Sequence, residues 1–338
     1  MQRAKKSSPK LLVLGDLNVD IIGRVQAWPQ PGGECLCPQL ELHCGGVAGN
    51  TGLALRRWGI GVHLTGCIGR DAFGDLLFRA LKKAGVATRD VQRTSRALTG
   101  LLYIHVTPDG QRTFFGSRGA NQFTPLSRVS ASVVDGCAAA HLVGYSFLDT
   151  DPEKMARQIL RAFHSRSKPV SLDVGMEPCA KVPEKILHLL PQVDVVFLSS
   201  EEAAALTGQS NPRKSFLQLQ RVGAKEIVMK LGKRGCLISD GDVFHEVPSF
   251  RVGTVDSTGA GDAFTAAFLQ ARLRGWSTPE AALVANAAGA AAASRVGAGT
   301  SLSDVPGIIR LLRAQRFRNH WEETRLQILS RLRARSMS

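Results

Sequence analysis

The 338-residue chain has no C-x-x-C pair, no apolar run near its start longer than Leu11–Leu14, no internal repeat and no low-complexity linker. Each absence excludes something. Four apolar residues closed by Gly15-Asp16 are too few for a secretory core or a membrane span, so a cytoplasmic protein without membrane contact is expected. Seven cysteines, at 35, 37, 44, 67, 137, 179 and 236, make an odd count that argues for reduced thiols. Cys35, Cys37 and Cys44 lie close together but lack a fourth ligand at zinc spacing, so no zinc site is expected. Acidic residues are missing from one end and scarce at the other. Residues 1–10 carry four Lys and Arg with no acid, and residues 307–338 carry eight Arg against Glu322 and Glu323. The ends thus hold +10 of the +15 net charge, and the mildly basic body suits phosphate-bearing ligands rather than nucleic acid. The ends are read as solvated tails, although Ile308, Ile309, Leu311, Leu312, Phe317 and Trp321 give the C-terminal one apolar residues for docking a helix.

What is present is an alternation of short apolar runs and amphipathic patterns. Strands are expected at 11–15, 62–66, 139–144, 170–174, 193–198 and 226–230, with helices near 48–58, 73–84, 152–166, 201–207 and 213–222. Gly59, Gly85, Gly208 and Gly223 each follow a helix where a left-handed cap is needed. This order predicts an α/β protein with three α/β/α layers and a mostly parallel central sheet, whose ligands gather at the strands' carboxyl ends. Leu36 to Leu42 alternates with period two, and 101–107 and 111–116 flank a Pro108-Asp109-Gly110 turn. These pieces (about 22–45 and 100–118) predict a small separate sheet, either a lid over the ligand or an edge extension. Two further helices are expected at 260–275 and 279–296, the second rich in Ala. One domain over 11–306, a basic N-terminal tail at 1–10 and an Arg-rich helical segment at 307–338 complete the organisation.

Asp256-Ser257-Thr258-Gly259-Ala260-Gly261-Asp262 precedes the first of those late helices. Its small residues leave backbone N–H groups free to surround an anion, and Asp262 lies close enough to accept a proton from an attacking hydroxyl. An anion cradle beside a base suits phosphoryl transfer, whereas a plain helix cap would leave the second Asp unexplained. Asn18 and Asp20 follow the first strand, either to bond sugar hydroxyls or as turn residues. Gly45-Gly46 and Asn50 join a strand to a helix, and Lys230 to Gly235 link two strands. In each case a ligand contact and ordinary turn chemistry both fit. Glu201 and Glu202 open a helix, where carboxylates are favoured in any case.

Taken in order, Gly45-Gly46-Val47-Ala48-Gly49-Asn50, Glu202, Lys230-Leu231-Gly232-Lys233-Arg234-Gly235 and Asp256–Asp262 resemble the PfkB (ribokinase-like) family of carbohydrate kinases. The resemblance implies that Asp262 is the general base and that Gly259, Ala260 and Gly261 form the anion hole. It implies that Asn18, Asp20, Gly46 and Asn50 bind a sugar or sugar-like substrate. Lys230, Gly232, Gly235 and Asn286 would then line the ATP site, and Glu202 would act on Mg2+ through water. Asp256, Thr258, Gly297 and Ser301 fall where some members hold a monovalent cation such as K+. A homodimer through the lid belongs to the same expectation. Ser199 stands where the family has Asn, and Val47 replaces the Lys that follows the glycine pair in ribokinases, which counts against ribose itself. A nucleoside kinase on the same fold and a non-catalytic regulatory relative are the alternatives.

Overall fold

The computed structural model describes residues 8–108, 112–124, 129–240, 243–295, 305–318 and 320–336. Nine strands form the main sheet: β1 (Lys10–Leu14), β4 (Gly61–Gly69), β5 (Ala87–Thr94), β8 (Ala139–Val143), β9 (Val170–Asp173), β10 (Val195–Ser199), β11 (Glu226–Lys230), β12 (Cys236–Asp240) and β13 (Val243–Val247). Their order is β13-β12-β11-β10-β9-β8-β1-β4-β5, with β12 and β13 antiparallel and the rest parallel. Parallel strands covered on both faces read as continuous apolar runs, and β1 shows why. Leu11 and Val13 pack on one side with helices Val47–Arg57, Ala260–Leu273 and Thr278–Ala293, while Leu12 and Leu14 pack on the other with Thr150–His164 and Pro212–Arg221.

Four strands make the second sheet, β3-β2-β6-β7, from β2 (Asn18–Arg24), β3 (Leu40–Gly45), β6 (Gly100–Val106) and β7 (Arg112–Ser117). β2 pairs parallel with β6, and the outer pairs are antiparallel. Two boundaries differ from the sequence expectation. Residues 36–39 are not strand, so the period-two pattern begins pairing only at Leu40. Asn18 and Asp20 lie within β2 rather than in a turn, because the chain passes from β1 into the small sheet after only three residues. Asp109, Gly110 and Gln111 of the hairpin turn lie outside the described residues.

The Ala-rich stretch is explained by close helix packing. A Cβ on Gly289 would approach the Ala260 carbonyl oxygen to 3.3 Å, so larger residues there would push the two helices apart. The C-terminal end is not a solvated tail, which corrects that reading. Helices Val305–Ala314 and Trp321–Ser336 join the core through Ile308, Leu312, Trp321, Ile328, Leu329 and Leu332. Arg325 is buried there, donating to the Leu312 carbonyl at 2.5 Å and to both oxygens of Glu322. Residues 1–7 of the N-terminal tail lie outside the described residues.

Candidate active site

Three neighbouring parallel strands end on polar residues: Asp173 on β9, Ser199 on β10 and Lys230 on β11. Lys230 donates to both oxygens of Asp173, at 3.0 and 3.3 Å, and Thr265 donates to Asp173 at 2.8 Å. Burial works against the Lys230 ammonium, but Asp173 and Glu202 outweigh it and hold its pKa above the ordinary lysine value. Glu202 caps its own helix: its Oε2 accepts the Ser199 N–H at 2.7 Å, and Ser199 Oγ accepts the Glu202 N–H at 3.1 Å. Ser199 is therefore fully used as a helix cap. Burial raises the Glu202 pKa, with the nearby Lys230 opposing the shift.

Asp262 stands in the first turn of helix Ala260–Leu273, whose N-cap, Gly259, has φ +72° and gives no side-chain cap. A left-handed backbone without a Cβ leaves the first-turn amides uncovered, a geometry suited to an anion. Asn50 reaches across from helix Val47–Arg57 and donates to Asp262 at 2.8 Å. Burial pushes the Asp262 pKa up to about 7; Asp173 adds to the rise, and Asn50 and Lys230 hold it back. A carboxyl poised near neutrality can exchange a proton with a hydroxyl at physiological pH.

Asp20 is close enough to add to the rise of the Asp262 pKa. Asp20 is buried, its own pKa is pushed up to about 7 by desolvation, and its Oδ1 has no hydrogen-bond partner. A Cβ on Gly45 would lie 2.1 Å from that oxygen. Gly46, at φ +78°, passes as close to the Asp16 carbonyl, 2.3 Å for an added Cβ. The glycine pair therefore makes room for the β1–β2 connection and the Asp20 carboxylate. Asn50 Oδ1 is the second buried oxygen here without a partner. Two such orphaned acceptors are what a polyhydroxylated ligand would satisfy. Asn18 accepts from Asn121 at 2.8 Å, and Asn121 accepts the Leu17 N–H at 2.8 Å. Arg118 binds both oxygens of Asp16, at 2.8 and 3.0 Å, and also pairs with Asp149.

Lys230 and Gly261 also line a cavity of about 1170 Å³. Gly232, Gly235 and Asn286 line it, so all four expected nucleotide residues share one space. The Asn286 amide nitrogen is committed to the Val247 and Pro248 carbonyls, at 3.2 and 3.1 Å, and therefore orders the cavity wall. Asp256 accepts from the Thr258 N–H at 2.8 Å and its hydroxyl at 2.7 Å, a local turn. Gly297 and Ser301 lie outside the described residues. No group of three His, Cys, Asp or Glu among the described residues is placed to hold a metal ion.

The sequence reading missed Asp173, Thr265 and Arg118. Asp173 had a signal: a carboxylate closing a short buried strand. Thr265 had none, being one more small residue on a buried helix face.

Residues 8–305 match the pfkB family carbohydrate kinase model, and the chain belongs to that family. It is accordingly a kinase, a phosphotransferase with an alcohol group as acceptor. It is 29% identical over 286 residues to fructokinase-1 of Zea mays, spanning 79% of this chain and 88% of that protein. Ribokinase of Haemophilus influenzae is 26% identical over 297 residues, spanning 86% and 94%. The structure of Arabidopsis thaliana ribokinase complexed with ribose and ATP superposes with a TM-score of 0.78 at 26% identity, over 90% of this chain and 98% of that one. No helix among the described residues is long and apolar enough to cross a membrane.

Proposed function

We propose that the chain transfers the γ-phosphoryl group of ATP to a hydroxyl of a sugar or sugar-like substrate. The observation that carries this is the Asn50–Asp262 hydrogen bond, which joins the orphaned oxygens on one side to the uncapped helix terminus on the other. Asp20, Asn18 and Asn50 orient the sugar so that one hydroxyl points at Asp262. Asp262 accepts its proton, and the amides of Gly259 to Gly261 stabilise the charge on the moving phosphoryl group. Positioning and electrostatics are most of what such a reaction asks of a protein. Lys230 has a place beside the nucleotide phosphates, and Gly232, Gly235 and Asn286 shape the nucleotide wall.

The surplus of carboxylates around Lys230 fits a divalent cation. With no three-ligand cluster among the described residues, Mg2+ would be held mainly by phosphates and waters, with Glu202 facing it through water, and would offset negative charge there. A K+ ion near Asp256 is a further part of this proposal.

A screen for ADP release across pentoses, hexoses, keto-deoxy acids, sugar phosphates and nucleosides tests the assignment. Turnover with sugars is expected; turnover confined to nucleosides would make the chain a nucleoside kinase, and none at all would favour a non-catalytic relative. For the active sugar, Asp20→Ala is expected to raise KM by about a hundredfold, since the site loses charged hydrogen bonds, while the ATP KM stays within about twofold. Equal rises in both constants would remove Asp20 from the sugar subsite.

The small sheet also bears on assembly. Strand register puts Leu40, Leu42 and Phe115 on the face opposite Asn18 and Asp20, and each is at least half exposed (54%, 50% and 57%). That apolar face supports a homodimer through the lid. Leu42→Asp with Phe115→Asp is expected to convert a dimer to a monomer by sedimentation; a dimer unchanged by both would place the interface elsewhere.

A further inference from the structure

The family match ends at residue 305, yet the cavity does not. Gln315, Arg316, Phe317 and Arg318, in the bend between the last two helices, line it. We infer that this bend is a built wall of the nucleotide site, and that Arg316 and Arg318 grip the base-and-ribose end of a nucleoside triphosphate. The inference rests on the proposal that the cavity takes ATP.

The bend is firmly held. Gln315 clamps the facing segment in both directions, donating to the Ser249 carbonyl at 3.1 Å and accepting the Arg251 N–H at 2.7 Å. Phe317 meets Phe250 edge to face, with ring centroids 5.4 Å apart, and its N–H is accepted by Glu322 at 2.9 Å. Glu322 is in turn locked by the buried Arg325. Among the described residues, Gln315, Phe317, Glu322 and Arg325 make the contacts that order the bend, while Arg316 and Arg318 are exposed and line the cavity.

Their place along the cavity follows from connected contacts. Asn286 holds the Val247 and Pro248 carbonyls, and the next residues, Ser249 and Arg251, hold Gln315. The bend therefore belongs to the Asn286 side. Lys230 and Gly261, beside which phosphates would lie, line the same cavity. A planar guanidinium suits the Asn286 side: it can stack on a purine or donate to ribose oxygens.

Calorimetric titration of ATP into the full-length protein and into an Arg316→Ala/Arg318→Ala variant tests this. Both side chains are exposed, so the variant is expected to melt as the parent does. Its ATP Kd is expected to rise about tenfold, while the Kd for inorganic tripolyphosphate, which has no base or ribose, stays within about twofold. An unchanged ATP Kd overturns the inference, and an equal loss for tripolyphosphate overturns the assignment to the base end. A parent protein that binds no ATP would instead defeat the cavity's reading as a nucleotide site, and this inference with it.

Discussion

Asp262→Asn is expected to lower kcat about a thousandfold, within the usual range for loss of a positioned base, while ATP still binds. The amide is nearly the same shape as the carboxyl, so the fold and the Gly259 cap should survive. It can still contact Asn50, but it cannot take the sugar's proton. The wild-type pH profile gives a second test. With the Asp262 pKa pushed up to about 7, activity should rise as pH passes through that value and level off above it. Stability runs the opposite way. A carboxyl that ionises near 3.8 when unfolded and near 7 when folded costs the native state increasingly as pH rises between those values, and by a constant amount above them. Asp262→Asn should therefore melt higher than wild type at pH 8, with the gain shrinking as pH falls toward 4. A variant that keeps a tenth or more of wild-type turnover would eliminate Asp262 as the base.

Lys230→Met should be the most destabilising single change at the site. It leaves Asp173 buried with only the Thr265 hydroxyl, and it leaves Glu202 and Asp262 without their nearby cation. Breaking a buried ion pair from one side costs about 3–5 kcal/mol. Urea unfolding at pH 7.5 should show a loss of that size, and at pH 5 a smaller one, because Asp262, with its pKa pushed up to about 7, already favours its protonated form there. Lys230 normally holds the Asp262 pKa down, so the residual activity should rise at a higher pH than in wild type. An unfolding midpoint indistinguishable from wild type at both pH values would refute the ion-pair account.

The parallel sheet was legible because β1, β8, β9, β10 and β11 are buried on both faces and so have mostly apolar interiors, interrupted only by His141 and Ser171. The small sheet was only half legible. β3 alternates, but β2 contains Asn18 and Asp20, residue types that favour turns in isolation, and its pairing with β6 spans some eighty residues of chain. On the site, motif residues brought Asp262, Asn50, Lys230 and Asp20 into one region. Asp173 and Arg118 were missed for a physical reason: their importance comes from the partners that folding brings to them, Lys230 and Thr265 for one, Asp16 and Asp149 for the other. The bend at 315–318 escaped notice because a run of Arg looks the same in solvent and on a cavity wall.

The short passage from β1 into β2 has a mechanical meaning. The small sheet is rooted at two adjacent strands: β2 springs from β1 after three residues, and β3 runs through Gly46 directly into the helix that carries Asn50. Such a sheet cannot swing as a free flap. Any tilt that carries Asp20 toward a ligand is delivered along β3 to Asn50, and from Asn50 through one hydrogen bond to Asp262. The lever's long arm is the surface proposed to meet the sugar, and its short arm ends at the carboxylate whose proton affinity that bond helps to set.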